Sequence, residues 1–580
     1  MLALWRHLNA RRKRQFILVL GLMFVASFAE IISIGAVVPF LGVITNPGLL
    51  FEHPLIMPLI NVLDLRSADE LILPITILFI LTAAVAGTIR LILLYATTRL
   101  SYGAGHDLSI KVYRQTLYQS YSVHVARNSS EVINGIITKT STVISGVLTP
   151  GITLISSSII MFGILGVLCF IDIFVALTAF AGFSTLYFLV IFYTRSKIRK
   201  NSEVIAIQSD RTVKALQEGL MGIRDVLIYG SQEFYSEIYR RADFPLRRSA
   251  GNNLFISGSP RFTMEAIGMI LIAVMAFFMV EQQSGVAQVL PVLGALALGA
   301  QRLLPIMQQA YGSYSAIKGS KASLNDVIKL LDQPTPEYVN NPSVSPILFN
   351  KEIVLKNIGF RYRLDEPWIL EGADLLIQKG ARVGVFGATG SGKSTLFDII
   401  MGLNFPNKGT MEIDGEIINE RNIRAWQAHI AHVPQDIYLS DNTIAENIAF
   451  GKNKGDIDLN RVRVAADRAQ ISNLIDSWEM KYETCVGEHG IRLSGGQRQR
   501  IGIARALYKD ANVLVFDEAT SALDSKTEMS VVESIESLGQ DLTVLIIAHR
   551  LSTLKNCDQI IEVSNRKIKE TSYEKAIIEN

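Results

Sequence analysis

Three short stretches of this sequence carry residue types suited to chemistry on a phosphate ester. The first is GATGSGKS, Gly387 to Ser394, with the strand-like Arg382-Val383-Gly384-Val385-Phe386 before it and the helical pattern TLFDIIMGL after it. Glycines at Gly387, Gly390 and Gly392 let backbone N–H groups close around phosphate oxygens, and the following helix turns its positive end toward the same anion. Strand, loop and helix in this order are the context that G-x-x-x-x-G-K-S requires. Ala388, Thr389, Ser391 and Thr395 complete the expected nucleotide-binding run. Within it Lys393 reaches the β and γ phosphates and Ser394 ligates Mg²⁺. The second stretch is Val513-Leu514-Val515-Phe516 followed by Asp517-Glu518. A buried strand ending in two carboxylates places Asp517 near the metal and Glu518 beside an attacking water, meeting the needs of phosphoryl transfer for charge neutralisation and an oriented nucleophile. The plainer alternative is a carboxylate pair that merely closes a strand. The third stretch, Leu493 to Arg500, reads LSGGQRQR and lies between the other two.

Those stretches sit in the polar half of a divided chain. Of its 580 residues 49% are hydrophobic and 19% charged, with a mean hydropathy of +0.30, so the apolar content must be concentrated, and it is concentrated in the first half. A net charge of +3 does not point to nucleic acid. Cys169, Cys485 and Cys557 are far apart and lack metal-ligand spacing, which excludes a disulfide framework and argues against zinc. Beyond Asp332 a linker with Pro334, Pro336, Pro342 and Pro346 marks a boundary, after which short β-branched runs alternate with helical patterns as in a mainly parallel α/β sheet. The expected division is a transmembrane domain over 1–335, a linker over 336–349 and a nucleotide-binding domain over 350–580.

Six spans of about twenty mostly apolar residues are expected, over 16–45, 72–97, 141–169, 173–195, 262–281 and 285–309, each as a helix because hydrocarbon cannot satisfy exposed backbone. The first is too long for a cleaved signal core and reads as a retained anchor. Arg6, Arg11, Arg12, Lys13 and Arg14 precede it, Arg99, Lys111 and Arg114 follow the second span, and Arg195, Lys197, Arg199 and Lys200 follow the fourth. The opposite loops are nearly free of Lys and Arg, so both termini are expected in the cytoplasm. Stretches 98–140 and 196–261 should carry the helices well beyond the bilayer, the alternative being solvated loops, and the apolar residues of 46–70 suggest either a short segment on the outer interface or a mere connector.

Leu493-Ser494-Gly495-Gly496-Gln497 resembles the signature of ATP-binding cassette (ABC) ATPases, in the sequence order that family has. The resemblance extends over the whole chain, six spans and then one cassette, as in exporter-type half-transporters. It implies an all-α six-helix transmembrane domain followed by an α/β P-loop NTPase domain, with ATP and Mg²⁺ as cofactors. By the same resemblance Tyr362 stacks on adenine, Gln435 in VPQD and Ser394 hold Mg²⁺ with Asp517 acting through water, Glu488 is the exporter-loop acid, and Ser521 to Asp524 form the D-loop. Glu518, His549 in IIAHR and Gln435 are then the catalytic set, and the segment Glu218 to Glu233 transmits motion between the cassette and the membrane helices. Ser494, Gly495, Gly496 and Gln497 in that family close over ATP held by a partner, so the resemblance implies a dimer, most simply of two identical chains, in the inner (cytoplasmic) membrane.

The cassette does not reveal the cargo. Arg90, Arg261 and Arg302 fall in or at the ends of the second, fifth and sixth spans, where charge is costly and usually serves a function. Three guanidinium groups around an inner cavity would suit a pyrophosphate; the alternatives are snorkelling to headgroups or pairing with Glu30. RLILLYATTRL, SPRFTMEAIGM and QRLLPIMQQAYGSYSA resemble the PglK-like lipid-linked oligosaccharide flippases, which implies a polyprenyl-pyrophosphate glycan as substrate and membrane lipid as partner. A multidrug or lipid A-type exporter shares the architecture. A non-transporting membrane ATPase or regulator would be expected to have lost Glu518 or His549, and both are present.

Overall fold

The structure is a computed structural model that describes residues 2–45, 48, 51, 57, 61, 65–171, 173–282, 286–340, 345–517, 541–548 and 554–575. It divides into one unit of Met1–Leu117 with Arg127–Pro334 and a second of Tyr118–Ala126 with Thr335–Asn580.

The first unit is helical. Its main elements are α1 (Ala10–Gly35), α2 (Ile72–Leu117), α3 (Thr149–Ile171), α4 (Ile173–Met221), α5 (Gln232–Gly258), α6 (Pro260–Gln282), α7 (Val286–Gly319) and α8 (Lys321–Leu331). Pro260 opens α6, where a missing N–H costs nothing. α2 has 46 residues and α4 has 49, so each is roughly 70 Å long and exceeds the hydrocarbon thickness about twofold. Among the described residues Ala10–Ile44, Ala68–Leu117 and Ser129–Cys169 are long and apolar enough to cross a membrane, with mean hydropathies of 2.4, 2.4 and 2.3. Leu18 and Phe28 on α1, and Leu73 and Leu91 on α2, are exposed, as expected where lipid is the solvent. Small residues bring the helices together: a Cβ on Gly163 would lie 2.8 Å from Ser27 Oγ and 2.9 Å from Ile31, so α3 meets α1 there at close range.

Two expected spans are interrupted. The first breaks at Ala36, whose N–H bonds to the Ile32 and Ile34 carbonyls, and a second helix then runs over Val37–Thr45. The third is preceded by one π-helical turn, Gly135–Lys139, and contains another, Ile144–Leu148. The second of these holds Gly146, where a Cβ would lie 2.0 Å from Ser320 Oγ. The first ends on buried Lys139, whose Nζ donates at 2.7 Å to both Asp210 on α4 and Asp326 on α8. Asn134 Nδ2 donates at 2.7 Å to the other Asp210 oxygen. One cation thus clasps three helices. Most of the outer segment 46–70 lies outside the described residues; its end is the 3-10 turn Ala68–Leu71.

The second unit carries two sheets. Strands β1 (Glu352–Phe360), β2 (Leu370–Gln378), β4 (Lys408–Ile413) and β5 (Glu416–Ile417) form an antiparallel sheet in the order β2-β1-β4-β5. The larger sheet, ordered β10-β9-β3-β8-β7-β6, contains β3 (Arg382–Phe386), β6 (Ile430–Val433), β7 (Val513–Asp517), β8 (Thr543–Ile547), β9 (Gln559–Ser564) and β10 (Lys567–Thr571). Strands β3, β6, β7, β8 and β9 are parallel, and their runs are apolar because both faces are covered. Helix α9 (Lys393–Ile400) packs Leu396, Phe397, Ile399 and Ile400 into one core; α10 (Gly495–Lys509) packs Ile501, Ile503 and Ala504 into another.

Candidate nucleotide-binding site

The register of the parallel sheet assembles the site. Val385 of β3 and Asp517 of β7 both pair with Ile547 of β8, so they stand at one level on either side of it. Val433 of β6 pairs with Phe516, which brings the next turn, containing Gln435, to the same carboxyl edge. Open α/β sheets bind ligands outside that edge. Three sequence-distant stretches therefore converge because four strands end together.

Beyond β3 the chain turns through the phosphate loop into α9. Gly387 has φ 149°, and a Cβ there would lie 2.3 Å from the Val563 carbonyl oxygen. Gly390 and Gly392, at φ 80° and 107°, hold conformations that favour glycine. The buried Lys393 donates from Nζ to the Gly387 carbonyl at 2.8 Å and the Ala388 carbonyl at 3.0 Å, which stretches its ammonium back over the loop. A cavity of about 620 Å³ opens here, lined by Thr389, Gly390, Gly392, Lys393, Ser394 and Thr395 together with Gln435 and Ile369. Ser391 Oγ is buried and has no hydrogen-bond partner among the described residues. An orphaned hydroxyl, a glycine cradle and the N-terminus of α9 fit a polyphosphate. Ser394 and Gln435 in the same cavity, with Asp517 at the neighbouring strand end, supply the hard oxygen donors that Mg²⁺ prefers when it bridges phosphates.

Electrostatically the site contains a second acid. Burial, and then the nearby Asp517 charge, push the Asp398 carboxyl of α9 up to about 6. Tyr121 of the short helix Tyr121–Val125 is also raised, by burial first and then by Asp398 and Tyr362. Tyr362 follows β1, is 47% exposed and meets Phe360 edge to face at 5.1 Å.

Ser494 caps α10 by a reciprocal box: its Oγ accepts from the Gln497 N–H at 3.3 Å, and Gln497 Oε1 accepts from the Ser494 N–H at 2.9 Å. Gly495 is exposed and Gly496 partly so, giving an open helix N-terminus that does not line the phosphate-loop cavity of its own chain. Glu488 lies exposed in the 3-10 turn Glu488–Gly490. Glu518, His549 and the Ser521 to Asp524 stretch lie outside the described residues, although in sequence Glu518 directly follows β7 and His549 comes two positions after β8 ends. The segment Glu218 to Glu233 joins α4 to α5 through the short helix Ile223–Ile228 and Gly230 at φ 62°.

Ile369 and Asp398 were not legible as site residues. An isoleucine before a strand reads as core, and an aspartate inside an apolar helix pattern gives no sign of what it will face. Among the three arginines expected to meet substrate, Arg90 lies 3.3 Å from the buried Glu30 and Arg261 lies 2.8 Å from Glu265 one turn on, exposed on α6. The pairing of Arg90 with Glu30, weighed as an alternative from the sequence, is thus present. The Arg302 side chain lies outside the described residues.

Comparison with known proteins finds two family models and several relatives that match this chain. Residues 15–290 match the family model of the ABC transporter transmembrane region, and residues 370–521 match that of the ABC transporter. The ATP-dependent lipid A-core flippase of Thiobacillus denitrificans is 30% identical over 71% of this chain and 71% of its own length. That of Chromohalobacter salexigens is 32% identical over 69% and 67%. The heterocyst differentiation ATP-binding protein HepA of Nostoc sp. is 28% identical over 99% of this chain and 93% of its own. In architecture the chain is similar to a bacterial Atm1-family ABC exporter with ATP bound, with a TM-score of 0.77, 22% identity and coverage of 98% and 96% of the two chains. With helical membrane unit, phosphate-loop sheet and signature helix in one polypeptide, the chain belongs to the ABC transporter family, as an exporter-type half-transporter whose ATPase domain couples ATP hydrolysis to transport.

Proposed function

We propose that this chain works as a homodimer in the inner membrane of a bacterium, with both termini cytoplasmic, and flips a phosphate-bearing lipid from the inner to the outer leaflet. The observation that carries the dimer is the position of Ser494, an open helix terminus that does not line the cavity around Lys393 of its own chain. In this reading Gly387 to Thr395 and Tyr362 bind ATP, and Ser494 to Gln497 complete the partner's pocket. Glu518 orients water, while Gln435 and His549 sense the γ phosphate. Ser394 and Gln435, with Asp517 through water, would hold Mg²⁺, which would supply charge neutralisation.

The cargo of this proposal is a polyprenyl-pyrophosphate glycan, with Arg90, Arg261 and Arg302 as phosphate contacts; Arg90 and Arg261 would exchange Glu30 and Glu265 for phosphate oxygens. A second reading, a lipid A-type substrate, is favoured by the names of the relatives in Thiobacillus and Chromohalobacter. The two share a phosphorylated sugar on an apolar anchor. Proteoliposomes with fluorescent lipid-linked glycan, lipid A or a panel of apolar drugs separate these readings. ATP-dependent movement of one phospholipid cargo is expected, and Glu518→Gln should retain ATP while losing at least about a hundredfold in turnover. Transport of the drugs alone would overturn the proposal.

A further inference from the structure

Within the first unit a second cavity, of about 670 Å³, has a one-sided charge. Arg195 and Arg199 line it from α4, Lys318 from α7 and Lys321 from α8, facing a single carboxylate, Glu203. The four cations come from three helices. Lys197 and Lys200, on the same turns of α4, do not line it. Basic residues that only anchored a helix to headgroups would have no reason to sort in this way: those one turn apart share the cavity face, and those between them point elsewhere.

The local geometry leaves these cations available. Arg195 lies over the Phe192 ring at 4.8 Å and the Lys318 ammonium over the Tyr314 ring at 5.6 Å, contacts that steady a cation while its N–H donors stay free. Among the described residues Arg195, Lys318 and Lys321 have no carboxylate partner. Glu203 is engaged by Arg199 at 3.2 Å, with the two side chains 55% and 80% exposed, a weak pair that a phosphate can displace. The Ala322 N–H donates to Ser202 Oγ at 3.2 Å and fastens the start of α8 to α4, so the turn between Lys318 and Lys321 is held across the opening. Two guanidinium forks and two ammonium groups around one space match an anion that presents several phosphate oxygens at short spacing. Arg195 ends the fourth expected span, which puts the cavity at the expected cytoplasmic membrane face.

We infer that the cavity formed by Arg195, Arg199, Lys318 and Lys321 is a receiving site for a pyrophosphate or bis-phosphate group, separate from Arg90 and Arg261. The source of that group, a lipid headgroup, rests on the flippase reading; the chemistry of the site does not. The test uses the full-length protein in phosphatidylethanolamine nanodiscs, titrated with undecaprenyl pyrophosphate, with undecaprenol and with sodium pyrophosphate. The diphosphorylated lipid should bind at least about tenfold more tightly than the alcohol, and Arg199→Gln with Lys321→Gln should remove that advantage. Arg195→Lys with Arg199→Lys keeps the charge and should lose part of it. Lys197→Gln with Lys200→Gln deletes equal charge from the other face and should bind as wild type does. If the cavity variant binds like wild type, or the Lys197/Lys200 variant loses as much, the site is overturned. If the wild type binds soluble pyrophosphate at the cavity but moves no lipid in proteoliposomes, the flippase reading fails while the site stands, with a soluble polyphosphate as its ligand.

Discussion

Asp398 has two reasons to resist ionisation: it is half-buried in α9 and it lies near Asp517. Its carboxyl, ordinarily near 3.8, is raised to about 6 in the folded protein. An acid raised in this way favours the fold while it holds its proton. The contribution is complete below about pH 3.8 and is lost as pH rises through about 6. At neutral pH the ionised carboxylate is therefore a cost, and Asp398→Asn should raise the Tm of the nucleotide-free protein by about 2–4 °C there and hardly at all near pH 4. Thermal melts at the two pH values decide it, and equal gains at both would show that the charge is not the cause. The phosphate loop could be read from sequence because its demands are local: Gly387 and Gly392 are needed where the backbone turns through positive φ, and Lys393 follows at fixed spacing. Asp398 could not, because its surroundings are set by Asp517, far away in the chain.

At the scale of the elements, the Lys139 clasp joins the end of a π-helical turn to α4 and α8. Lys139→Met leaves Asp210 and Asp326 with only the exposed Lys329, 3.8 Å from Asp326, as a nearby cation among the described residues, and removing one partner of a buried ionic cluster costs about 3 kcal/mol. The two carboxylates are 26% and 33% exposed, so solvent screening makes that figure an upper bound. Adding Asp210→Asn and Asp326→Asn should restore most of the loss in denaturation experiments in detergent; a triple variant no better than the single one would show that the stranded charges are not the cause. Helix existence followed from long apolar runs, which a bilayer forces into helices. The break at Ala36 and the two π-helical turns did not follow, since each depends on which neighbour, such as Ser320 beside Gly146, occupies the space next to the backbone.

For the whole molecule, the proposed composite pockets make a prediction that single variants cannot. A dimer with Lys393→Ala in one chain and Ser494→Arg in the other carries both lesions in one pocket, leaving the second pocket intact. Such mixed dimers should trap ATP in one pocket; if each pocket belonged to one chain, both would be damaged and no intact pocket would remain. Binding of radiolabelled ATP to tagged, co-purified dimers in the Glu518→Gln background distinguishes the two. The register that places Asp517 beside the phosphate loop was foreseeable in outline, because strand ends carry the motifs. That Tyr118–Ala126 belongs with the second unit was not foreseeable, since nothing in its composition separates it from the helix before it.

That short excursion has a consequence for how the protein is made. The ribosome delivers Tyr118–Ala126 long before Thr335 and the strands beyond it, so the strip must wait, unsheltered, for the surface it will rest on, with the aromatic Tyr121 exposed to chaperones and proteases meanwhile. A soluble fragment beginning at Thr335 would lack the strip altogether and carry a bare seam around Tyr338, whose ring lies 6.3 Å from that of Tyr118 in the intact chain. Splicing the nine residues back through a flexible tether is the natural remedy for anyone wishing to study the catalytic half alone.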